Sequence, residues 1–200
     1  FSPGGGNESA PALLQNALSR HADEAYFELG DPVLPASMAG GAEHKPSPLQ
    51  WVAQMLFRSL AERSVSGQLV RRPVKLQAVA EIVKEPTEKL EAAINRVKSV
   101  VEVFRREDRS FLVPPPKDAL SGESVLDISH EALIRQWRRL AGEGNETTEG
   151  VGSNVGWLTL EDRARRRYRR LAEAAEAEAT SGLMHDPELS FLNAWWAQFQ

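Results

Sequence analysis

The stretch SVLDISHEALIRQW, residues 124–137, changes its hydrophobic period part-way through. SVLDIS, at 124–129, is short and partly β-branched, as a strand is. Positions 130, 133, 134 and 137 then return at the spacing of one helical face, so His130 is placed on a stripe with Leu133, Ile134 and Trp137. Ser129 is a residue type that caps helices, and Glu131 suits the positive end of a helix running to Leu140. A strand that hands over directly to a helix constrains everything before it.

Working outward toward the N-terminus, PPPKDALSGE separates this strand from SFLV at 110–113, and its prolines and Ser-Gly supply turn chemistry. The pair is read as a hairpin. Before it, Leu90, Ile94, Val97, Val101 and Phe104 mark a helix over 87–104, with Pro86 suited to its first turn. Leu76, Val79, Ala80 and Val83 mark a shorter helix, Leu69 to Val74 a brief edge strand, and Val52, Met55, Leu56 and Leu60 another helix. Helix, short strand, helix, turn, helix and hairpin is the order of a winged helix. The expected fold class is therefore mainly α with a small β-hairpin, a winged-helix domain at 49–140 flanked by N-terminal and C-terminal helices.

Further out, 1–10 reads as a flexible leader, 11–29 as a helix with Leu14, Leu18, His21, Ala25 and Leu29 on one face, and 30–48 as a Pro/Gly-rich linker. Residues 141–156, AGEGNETTEGVGSNVG, read as a mobile loop. From 157 to 200 the pattern is helical again: Trp157, Leu160, Ala164, Tyr168, Leu171 and Ala175 give a long helix, and Asp186-Pro187 opens a last one ending in LNAWWAQF. Because the chain starts at Phe1 after no methionine, it is read as a piece of a longer protein.

Composition narrows the function classes. The formal charge is -4, from 28 acidic and 24 basic residues, which gives no global attraction to nucleic acid or to anionic membranes. No cysteine is present, so disulfides and thiolate metal sites are out, and a cytoplasmic location fits. No apolar run reaches the length of a membrane span. Between Gln50 and Ser129 there are 13 Lys and Arg against 11 Asp and Glu, and the 87–104 helix carries Glu88, Glu91 and Glu102 beside Lys89, Arg96 and Lys98. Such a surface is a poor match to DNA, so a DNA-binding winged-helix regulator is the alternative and not the leading reading. RARRRYRR at 163–170 is the local exception, and at that density its charges point around the helix, as on a solvated face.

Catalytic signals are thin. HEALI at 130–134 starts like the zinc motif H-E-x-x-H, but Ile134 stands where the second histidine is needed. No G-x-S-x-G elbow and no G-x-x-x-x-G-K-[ST] phosphate loop occurs, so no catalytic residue and no metal ligand is assigned. His130 itself has two readings. It is either a buried, hydrogen-bonded core histidine or a residue projecting beyond the core toward an anion such as phosphate.

RSFLVPPP, SVLDISHEALIRQWRRL and YRRLAEAA together resemble the segment after the nucleotide-binding domain of STAND NTPases, signal-transduction ATPases related to NACHT proteins and plant resistance proteins. The resemblance runs from about Pro48 to Trp196 and is most specific in ISHEALIRQW. It implies a winged helix that folds back on the nucleotide-binding domain of the same chain, with an MHD-like motif at His130-Glu131. His130 would contact the β-phosphate of ADP, Glu131 would orient it, and the closed resting state would be held. The segment at 11–29 would join the ATPase core to the winged helix. The implied cofactors, ADP or ATP with magnesium, belong to the parent protein and none to these residues. The implied partners are that nucleotide-binding domain, a downstream sensor domain and, on activation, other copies in an oligomer.

Overall fold

The computed structural model describes residues 10–30, 46–64, 67–142 and 155–181. The expected leader, most of the 30–48 linker, most of the glycine-rich loop and the last helix lie outside them. Among the described residues the order is α1 (Ala10–Glu28), α2 (Pro48–Ser59), β1 (Ala61–Arg63), β2 (Leu69–Arg71), β3 (Val74–Lys75), α3 (Leu76–Val83), α4 (Leu90–Arg105), β4 (Leu112–Val113), β5 (Val125–Ile128), α5 (Glu131–Gln136), α6 (Arg138–Ala141) and α7 (Trp157–Ser181). The chain divides into two units, the first ending at Thr159 and the second starting at Leu160.

The first unit is mainly helical with two small antiparallel sheets. β1 and β2 form one, with Glu62 opposite Val70. The other has the order β3–β5–β4, with Lys75 opposite Val125 and Leu112 opposite Ile128. The edge strand expected over Leu69 to Val74 is split between the sheets, as β2 paired with β1 and β3 paired with β5. Period-2 burial puts Leu126 and Ile128 inward on β5, while Val125 faces out.

One apolar core joins the helices. Val52, Ala53, Leu56, Phe57 and Leu60 from α2 and its end meet Val79, Ala80 and Val83 from α3 and Val97, Val100, Val101 and Phe104 from α4. At its centre the Phe57 ring stands edge-on to Phe104 and Trp137, with centroids 4.7 Å and 4.8 Å away, and Trp157 meets Trp137 edge-on at 5.3 Å. Such T-shaped geometry places positive ring edges against negative faces.

α1 is built into this unit. Ala22, Ala25, Tyr26 and Leu29 are buried, and the side chain of Ser47 donates to the Leu29 carbonyl at 2.8 Å. Ser47 also accepts from the Gln50 backbone N–H while the Gln50 side chain accepts from Ser47, a reciprocal capping box that starts α2. The Gln50 amide then donates to the Tyr26 carbonyl. One cap thus satisfies donors of α2 and carbonyls at the end of α1.

Three expected boundaries move. The long helix starts at Leu90, not at 87, and Pro86 sits in the preceding turn. The reason is Glu88, whose carboxylate accepts from the Glu85 N–H and from Arg96 at 2.6 Å, stapling the turn to the helix it precedes. The helix after β5 is broken at Trp137, where φ -73° and ψ 105° leave helical space. Its cap also shifts, from the expected Ser129 to His130.

Between α4 and β5 the chain is held by Arg105, almost wholly buried. Its guanidinium pairs with both Glu102 oxygens and donates to the carbonyls of Pro114, Pro115 and Asp118. A planar fork with five donors is what a bend with free carbonyls requires.

In the second unit the described part is the body of α7. Arg165 and Arg166 pair one turn back with Glu161 and Asp162. Leu160 and Tyr168, expected on an apolar stripe, are exposed.

Candidate functional site

The site is built where β5 passes into α5. Ser129 continues the ladder, its N–H donating to the Phe111 carbonyl and its hydroxyl to the Ser110 carbonyl. It is therefore occupied in the sheet and does not cap the helix. His130 is the residue at the cap, with extended φ -132° and ψ 125°, and its carbonyl accepts from the Leu133 N–H at 3.0 Å.

That backbone decides where the imidazole goes. The inward face expected for 130, 133, 134 and 137 holds for Leu133, Ile134 and Trp137, which are buried, and fails for His130, which is exposed. A residue in extended conformation does not follow the 100° step of the helix after it. The core-histidine reading is thereby overturned. Among the described residues nothing hydrogen-bonds the His130 ring.

Glu131 is also exposed, and its carboxylate pairs with Arg135 at 2.6 Å one turn on. Adjacent in sequence, Glu131 and His130 make no hydrogen bond to each other. Ile134, where a zinc helix would need its second histidine, is fully buried.

What holds this corner rigid was not legible in its own sequence. Arg71 of β2 donates to the Ile128 carbonyl at 3.0 Å and to Asp127 at 3.2 Å, tying the hairpin to the strand just before His130. From the other side the Trp137 indole N–H donates to Asp23 at 2.8 Å, and Arg139 donates to the same carboxylate at 3.0 Å. The Arg138 backbone N–H donates to Ser19. α1 therefore grips α5 and α6 through partners more than a hundred residues away.

A second clasp holds α1 to the turn after α4. Glu28 accepts from Arg106 and Arg109, and His21 contacts the Asp108 carbonyl and the edge of Phe111. Burial alone would raise the Glu28 pKa, but the two arginine hydrogen bonds and their charges outweigh it and hold the carboxyl below its ordinary value. A carboxyl depressed in the folded state contributes stability that is fully present above its unfolded value and is lost as pH falls through its folded value. The stability gap between the wild type and Glu28→Gln is thus expected to be constant above about pH 5.5 and to shrink on acidification below the ordinary glutamate value of about 4.3. Thermal melts of both proteins across that range check it; a gap that widens toward acid would contradict the clasp.

The exposed positions of α4 are Glu91, Ala92, Asn95, Ser99 and Glu102. Arg96 is turned back onto Glu88 and the Val83 carbonyl. The face that would enter a DNA groove therefore carries two carboxylates and no exposed cation.

The profile of the family described as Novel STAND NTPase 1 matches residues 10–182. The chain belongs to the Novel STAND NTPase 1 family. The matched span takes in α1, both sheets and all of α7, so α1 is part of the family's unit in this STAND chain. Searches of curated proteins and of solved structures give no significant match. None of the described helices is long and apolar enough to cross a membrane.

Proposed function

We propose that these residues are a non-catalytic regulatory module of a STAND NTPase, a winged helix that packs on the nucleotide-binding domain of its own chain and stabilises the ADP-bound resting state. The order α2–β3–α3–α4–β4–β5 and the sheet order β3–β5–β4 support the winged-helix reading. The observation that carries the functional reading is His130: exposed, without a hydrogen-bond partner among the described residues, and mounted on a junction fixed by Arg71, Phe111 and Trp137. An unpaired imidazole on a rigid mount loses little entropy when it meets a phosphate oxygen. In this reading Arg135 holds Glu131 beside the histidine as the acidic member of the motif.

The module acts as a latch. Contacts made to ADP in the closed state and lost on opening bias the equilibrium toward closed, and exchange for ATP or a signal from a sensor domain releases it. The site supplies one side of a phosphate pocket, so the 200 residues alone are expected to show no nucleotide hydrolysis. In the parent protein His130→Ala is expected to speed ADP release about tenfold, the value of one charge-assisted hydrogen bond at about 1.4 kcal/mol. Stopped-flow release of a fluorescent ADP measures this. An unchanged rate removes the latch.

A further inference from the structure

We propose that the arginine-rich half of α7 is a binding surface for the phosphate backbone of a nucleic acid, separate from the winged helix. Six arginines stand in the eight residues 163–170, and between 161 and 173 only Glu161, Asp162 and Glu173 oppose them. At about 100° per residue, Arg163, Arg166, Arg167 and Arg170 fall within an arc of about 100°, one stripe about 10 Å long. The charges are thus less scattered than their density suggests. Arg163, Arg166 and Arg170 are exposed, as is Arg169 on the flank. The acids take Arg165 and Arg166 from one edge of the helix and leave Arg163 and Arg170 facing solvent.

The chemistry of the stripe selects the partner. Every cation on it is arginine, whose fork matches phosphate oxygens in pairs. No aromatic or large aliphatic side chain lies within the stripe to anchor a protein interface. A bilayer would need a deep apolar face alongside, and here that side offers Leu160 and Leu171 with alanines, followed by Glu173. A phosphate backbone needs only cations at regular spacing. The net negative charge of the whole chain does not oppose this, because charges farther than about 10 Å are screened at ordinary salt.

The test uses the 200-residue chain and a fluorescently labelled 20-base-pair DNA duplex and a 20-nucleotide single-stranded RNA, titrated by anisotropy at several salt concentrations. Phosphate contacts from Arg163 and Arg170 predict a slope of log K against log salt of about -1.8 on duplex, and about a tenfold loss of affinity from about 50 to 200 mM. The double variant R163E/R170E is expected to lose at least about tenfold in affinity and to flatten the slope by about 2. Lys98→Glu on α4 is expected to leave both unchanged, and circular dichroism confirms that both variants remain folded. Absent binding at about 50 mM salt, binding indifferent to R163E/R170E, or binding seen only with phosphatidylserine vesicles overturns the proposal.

Discussion

Trp137→Ala is expected to destabilise the first unit by about 3–5 kcal/mol, the range for deleting a fully buried tryptophan. The indole lies between Phe57, Phe104 and Trp157, and it is among the largest fully buried side chains of the molecule. Its removal opens a cavity at the point where α2, α4, α5 and the start of α7 meet. It also deprives Asp23 of the indole N–H, though Arg139 still pairs with that carboxylate. Trp137→Phe separates the two contributions. It keeps a ring in the cluster, loses the hydrogen bond, and is expected to cost about half as much. Since folded domains are stable by about 5–15 kcal/mol, the alanine variant is expected to lose a large part of that margin and to unfold at markedly lower urea. Urea titration followed by far-ultraviolet circular dichroism reads both. An alanine variant within about 1 kcal/mol of wild type would mean that Trp137 is not the keystone of this core.

Gly156→Ala is expected to cost about 3 kcal/mol, at the upper end for overpacking, because its Cβ has nowhere to go. A Cβ there would lie 2.1 Å from the Gly142 nitrogen and 2.3 Å from the Ala141 carbonyl carbon. Both are backbone atoms, so no side-chain rotation relieves the clash. Gly142, across from it, has φ 94°, a conformation that disfavours any residue with a side chain. The two glycines therefore let the end of α6 and the start of α7 come together where Trp157 reaches Trp137. Gly122→Ala is the control. Its Cβ would meet Ile94 and Gln77 side chains at 3.4–3.5 Å, ordinary contact, and the change is expected to cost less than about 1 kcal/mol. Equal melting temperatures for the two variants would show that the Gly142–Gly156 approach is not a requirement of the fold.

These effects mark the limit of what periodicity reveals. The apolar spacing of α3 and α4 and the β5 pattern carry local information, because each element's inward face repeats along its own residues; the stripe read on α7 does not hold at Leu160 and Tyr168, which are exposed. β1 does not: AER has neither alternation nor β-branched residues, and it is a strand because β2 pairs with it and packs on α5. Glycine-rich composition from 141 to 156 suggests a loop, and correctly ends α6. It does not disclose that Gly142 and Gly156 at its ends are needed for close backbone approach.

The opening stretch, 124–137, shows the division most clearly. By itself it determined a strand followed by a helix, the inward stripe of Leu133, Ile134 and Trp137, and Ile134 in place of the second histidine of a zinc motif. Only the tertiary structure decided that the cap falls on His130 and that the imidazole faces solvent. The physical reason is competition for Ser129. Its N–H and hydroxyl are taken by the carbonyls of Phe111 and Ser110, just before β4, so Ser129 is not available to cap the helix and the cap falls on the next residue. The helix likewise breaks at Trp137 where the indole N–H meets an aspartate 114 residues earlier. Local spacing encodes which faces are apolar; partners brought from afar decide where each element stops.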